Sequence, residues 1–133
     1  MSEANHRTPL RVVLVVVGII FIAGIYPLTV LWPSGWIWHM GGHSDYLEMI
    51  LGVYATLGVF LLLAARNPLN HLSLIWFTVW SSVVHGVIMA AQSLAYPEHR
   101  GHLLGDVPAL LIIALVLAVV TLRAQRAPTQ ASA

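Results

Sequence analysis

The chain has 133 residues, 59% of them hydrophobic and 8% charged, with a mean hydropathy of +0.84 and a formal net charge of +1. A soluble domain of this length cannot enclose so much apolar surface, which excludes an ordinary water-soluble globule. The near-neutral charge without a Lys/Arg cluster excludes nucleic acid as a partner, and the absence of cysteine excludes disulfides and thiolate metal sites.

Four apolar runs, 10–32, 46–65, 72–96 and 103–122, reach the length of about 20 residues that a helix needs to cross a hydrocarbon core of roughly 30 Å. They predict an all-α fold, a polytopic integral membrane protein made of one antiparallel bundle of four transmembrane helices. The first run has Arg7 before it and Arg11 at its start, and an apolar stretch after them, as a signal peptide would. It is longer than an ordinary signal core, however, and ends in Leu31-Trp32-Pro33-Ser34-Gly35, which lacks a small-x-small cleavage pattern. It therefore reads as a retained anchor. The connection after it carries Trp36 and Trp38, suited to headgroup level, and the spacing His39-x-x-x-His43, which Gly41 and Gly42 interrupt.

In the second run Asp45 is placed to cap the helix. Glu48 enters the apolar segment one turn later, on a face with Gly52, Ala55 and Val59 that is expected to look into the bundle. Gly52, Ala55 and Gly58 offer small residues for close helix packing. Arg66-Asn67-Pro68-Leu69-Asn70-His71 then makes a compact turn, because proline fixes the break, so the second and third helices form an antiparallel hairpin. The stretch Tyr46-Leu47-Glu48-Met49-Ile50-Leu51-Gly52-Val53-Tyr54-Ala55-Thr56-Leu57-Gly58-Val59-Phe60-Leu61, with Ala64-Ala65-Arg66 and the turn, resembles the second helix of small bacterial four-helix membrane proteins of the DoxX-like kind. That resemblance implies a four-helix bundle and no particular activity.

The third run places Thr78, Ser81, Ser82, His85, Met89 and Gln92 within an arc of about 100°, opposite Trp76 and Trp80. The polar stripe is expected to face the bundle. The two tryptophans are expected to face lipid, a second copy or a larger membrane complex. His85 falls about 16 Å from the end of the run, near mid-membrane, where an ionisable residue is a functional candidate because unpaired ring nitrogens are costly in hydrocarbon. The bland alternative is a neutral histidine bonded to Ser81, Ser82 or a carbonyl. No second histidine lies inside an apolar run at that depth, which argues against a bis-histidine haem. Before the fourth run, Glu98-His99-x-x-His102 adds a second histidine spacing, and Asp106 precedes Pro108 as a helix cap would. Together His39, His43, His99 and His102 are a candidate metal set for a Zn or Cu ion.

With an even number of spans, both termini lie on one side with the 66–71 turn. That side holds Arg7, Arg11, Arg66, Arg123 and Arg126, against Arg100 on the other. The positive-inside rule then predicts cytoplasmic termini in an inner membrane, with residues 127–133 a disordered tail. The functional expectation is an outward-facing polar pocket lined by Glu48, His85, Met89, Gln92 and Asp106, binding a small ligand, a proton or a metal ion. The alternatives are an accessory subunit contacting its partners through Trp76 and Trp80, and a membrane enzyme acting on a lipid-like substrate.

Overall fold

The computed structural model describes residues 3–38 and 44–126, all helices, turns and short connections. His39, His43 and the 127–133 tail lie outside the described residues. α1 (Glu3–Ile19) passes through a π-helical turn (Ile20–Gly24) into α2 (Ile25–Leu31), and these form one span. The π turn has a local cause in Pro27. Proline lacks the N–H that would bond to Ala23 and its ring crowds that carbonyl, so the preceding ladder shifts register and Ile25 N–H donates to Ile20 O instead. α3 (Pro33–Trp36) is a single turn, α4 (Asp45–Ala64) the second span, and α5 (Leu72–Ala95), entered through the 3₁₀ turn Pro68–His71, the third. The 3₁₀ segment Pro97–Leu103 leads to α6 (Asp106–Arg126).

Four helical segments are long and apolar enough to cross a membrane, and they pack as a four-helix bundle. α1 lies against α4 and α6, and α6 lies against α5. α4 and α5 are consecutive in the chain yet scarcely touch, so the ring of helices has one loose seam. The core combines buried Leu10, Leu14 and Phe21 of the first span with Leu61, Ile75 and Leu117 of the other three.

The inward stripe of α4 recurs every three or four residues through Tyr54, Leu57, Gly58, Leu61 and Ala64, the period of one helical face. Gly58 meets Gly18 of α1 so closely that a Cβ on it would sit 2.6 Å from the Gly18 carbonyl oxygen, whereas a Cβ on Gly52 would meet nothing within 4 Å. Gly58 is thus the small-residue contact, and Gly52 faces outward. The N-cap of α4 is Ser44, whose hydroxyl accepts from Leu47 N–H at 3.2 Å, and not Asp45.

On α5, Thr78, Ser82 and Met89 of the polar stripe are buried with Ile75, Val79, Gly86 and Ser93. Thr78 and Ser81 donate to the carbonyls of Leu74 and Thr78 in their own helix, so polarity there needs no partner from across the bundle. Trp80 is 62% exposed, but Trp76 packs partly buried against the core. The two tryptophans therefore do not form one outer surface.

Candidate functional site

The helix spacing brings two polar groups together halfway along the bundle. Tyr54 lies nine residues into α4 and His85 ten residues before the end of the antiparallel α5, so both sit about 15 Å from the same end at 1.5 Å per residue. Their side chains meet: the Tyr54 hydroxyl is 2.6 Å from His85 Nδ1, with the rings nearly parallel and 6.0 Å apart. Phe21, carried on the π turn, packs edge-on to Tyr54 at 5.0 Å and fixes its ring. The phenol can donate to Nδ1 or accept from it, and His85 Nε2 then carries or lacks the hydrogen accordingly. Among the described residues Nε2 has no hydrogen-bond partner.

A cavity of about 620 Å³ stands over this pair, toward the end that carries Trp38 and Asp106. Its walls are mostly apolar, with Ile50 and Leu51 from α4 and Ile88 and Met89 from α5; Tyr54, His85, Gln92, His99 and Asp106 are among the polar side chains that line it.

The roof is a hydrogen-bonded clasp. Trp38 Nε1 donates to Asp106 Oδ2 at 2.9 Å, and His102 Nδ1 lies 3.0 and 3.1 Å from the two carboxylate oxygens. His102 Nε2 is 3.2 Å from the Ile37 carbonyl oxygen, which can only accept, so this nitrogen carries a hydrogen. One further proton joins Nδ1 to the carboxylate, as imidazolium with carboxylate or as imidazole with carboxylic acid. Either form leaves the buried pair with zero net charge. The Trp38 indole stacks on His102 at 4.0 Å and packs against His99 at 4.9 Å.

Beneath the clasp, backbones touch. Cβ atoms added to Gly101 or Gly105 would collide with the carbonyl oxygens of Ser34 and Gly35, so α3 lies directly on the Pro97–Leu103 segment. Only glycine permits that approach.

Of the residues expected at the pocket, His85, Met89, Gln92 and Asp106 line the cavity. Glu48 does not: it is exposed, and the cavity takes Leu47, Ile50, Leu51 and Tyr54 from α4 instead. Tyr54 is six residues from Glu48, or 240° around the helix, and turning the tyrosine inward turns the glutamate out. Asp106 begins α6, but its carboxylate serves the clasp. The partner of His85 is neither Ser81, Ser82 nor a carbonyl but Tyr54. Sequence reasoning missed Tyr54, whose signal was a lone phenol on an otherwise apolar inner stripe. It also missed the Trp38 bond to Asp106, across 68 residues, for which no local signal exists.

Among the described residues no group of three or more His, Asp or Glu is placed to hold a metal ion. His102, one of the four histidines of the metal expectation, is buried with both ring nitrogens engaged. His99 packs between Trp38 and Tyr96.

No curated protein and no solved structure matches the chain, and the comparisons give no link to DoxX-like proteins. The match that exists covers residues 4–132, nearly the whole bundle and every residue of the cavity, and by it the chain belongs to DUF6632, a family of unknown function.

Proposed function

We propose that this protein binds a small ligand in the cavity between α4, α5 and the roof, with Tyr54 and His85 as its polar floor. The observation that carries this reading is the hydrogen-bonded Tyr54–His85 pair at the base of a largely apolar cavity, where Nε2 has no partner among the described residues. A cavity with apolar walls and a few convergent polar groups is the usual form of a small-molecule site. An accessible ring nitrogen in such surroundings favours a ligand that supplies its missing hydrogen bond, since an unpaired polar group away from water is costly. Acid–base chemistry between His85 and Glu48 is not part of this reading, because Glu48 lies outside the cavity.

The test is native mass spectrometry of protein purified in mild detergent, for the parent and for Tyr54→Phe with His85→Ala. The parent is expected to carry a small-molecule adduct that the double variant loses at least fivefold, on the scale of one hydrogen bond of about 1 kcal/mol. An adduct retained equally by the folded double variant would show that these two residues do not form the site.

A further inference from the structure

The kind of molecule that suits this cavity, if the binding reading above holds, follows from the charge of its walls and from where they open. None of the six arginines of the chain lines it, and there is no lysine. The one acid among its described lining residues, Asp106, is already matched by Trp38 and His102. A carboxylate or phosphate entering this space would give up its hydration, find no arginine or lysine among the described lining residues, where His85 and His99 are the basic side chains, and approach a carboxyl group. Such a head is disfavoured three times over. Besides His85 Nε2 and the Gln92 amide, the cavity's described lining offers the ring nitrogens of His99 and the buried Trp36 Nε1–H, which has no partner among the described residues, all groups that a hydroxyl or carbonyl oxygen can meet. His85 Nε2 acts as donor or acceptor according to which way the Tyr54 proton points, so it suits a hydroxyl or a carbonyl oxygen equally.

The openings are lateral. The end of the bundle above the cavity is covered by the clasp and by α3 docked on the Pro97–Leu103 segment. Along the side, α4 and α5 scarcely touch. Three residues that line the cavity also face the surroundings of the bundle: Tyr46 is 68% exposed, Ile88 52% and Tyr96 54%. Ile88 lies seven residues inside the end of a span-length helix, so the opening beside it is at the depth of acyl chains and not of water.

We propose that the ligand is an uncharged amphiphile, a lipid-soluble molecule with a hydroxyl or carbonyl head, which enters from the bilayer between α4 and α5 and sets its oxygen against His85 Nε2. Its apolar body lies along Ile50, Leu51 and Ile88.

The experiment uses the full chain in phosphatidylcholine nanodiscs and two photoreactive probes with the same twelve-carbon, diazirine-bearing chain, one ending in an alcohol and the other in a carboxylate. At pH 8 the alcohol is expected to label cavity residues of α4 and α5 saturably, with dodecanol competing, and the carboxylate at least tenfold less. The isosteric Tyr54→Phe should reduce alcohol labelling about fivefold in protein whose circular dichroism is unchanged. Ile50→Trp with Ile88→Trp should slow the approach to saturation at least fivefold.

Equal labelling by the carboxylate would overturn the uncharged head. An unchanged rate in the tryptophan variant would overturn the lateral route. Absence of saturable labelling by either probe would overturn the inference as a whole, and the adduct measurement on detergent-purified protein would still report separately on whether the cavity is a site.

Discussion

Asp106 is the residue whose replacement reports most directly on how the roof is held. The residue is 6% exposed, and its carboxylate accepts from Trp38 Nε1 and shares a proton with His102 Nδ1. Asp106→Ala removes the partner of two groups at once. With each buried unpaired group costing about 1–3 kcal/mol, the loss should be about 2–5 kcal/mol once water enters the space left behind. Asp106→Asn is different in kind. The asparagine oxygen can accept from Trp38 while its amide donates to Nδ1 of a neutral His102 that still gives Nε2–H to Ile37 O. Both bonds persist, the net charge is that of the native pair, and only the charge-assisted part, about 1 kcal/mol, is lost. The assay is SDS-driven unfolding in mixed micelles followed by tryptophan fluorescence. A double-mutant cycle with Trp38→Phe isolates the bond between the two side chains, and Asp106→Ala combined with Trp38→Phe should cost less than the sum of the single changes. If Asp106→Asn destabilises as much as Asp106→Ala, the zero-charge pair deduced from the hydrogen-bond pattern is wrong.

Further outcomes follow from the packing and from the charge distribution. Gly58→Ala should destabilise by about 1–3 kcal/mol because the added methyl meets the Gly18 carbonyl, while Gly52→Ala should be neutral or stabilising by up to about 1 kcal/mol; thermal unfolding in detergent ranks the two, and equal effects would contradict the α1–α4 contact. His85→Leu, which strands the Tyr54 hydroxyl, should cost about 1–3 kcal/mol against at most about 0.5 kcal/mol for the exposed Trp80→Leu, and a reversed order in the same assay would mean that α5 is rotated from the arrangement described. With five of six arginines at the end of the bundle that holds the termini, we expect cysteines placed at Ser2 and Asn67 to be shielded from an impermeant thiol reagent in intact cells and one at Arg100 to react. Labelling of Asn67→Cys but not Arg100→Cys would reverse the orientation.

Length and hydropathy alone determined the four spans. The two middle helices agree within a residue, 46–65 against Asp45–Ala64 and 72–96 against Leu72–Ala95, because helix length in a bilayer is dictated by the run of apolar residues, whereas the first helix begins at Glu3 and not at residue 10, and the last runs Asp106–Arg126 and not 103–122. The inward face of α5 was also legible, since its polar side chains recur at the helical period and Thr78, Ser82 and Met89 of that stripe are buried, with Gln92 at its outer end exposed. α4 was not, because almost every residue in it is apolar and membrane helices lack the polar-outside contrast that marks a face in water. A single carboxylate, Glu48, drew the expected inward direction toward itself. Packing decided otherwise, through the small residue of α4 that meets Gly18 of α1, Gly58, and the phenol that reaches His85. The roof lay furthest from sequence reasoning. Trp38, His102 and Asp106 come from segments that fold against each other only because Gly101 and Gly105 admit the backbone of α3, and the seam between α4 and α5 exists only because both helices find their partners in α1 and α6. Such meetings are set by how four helices share a common interior, a property of the assembled bundle and of no single stretch of its chain.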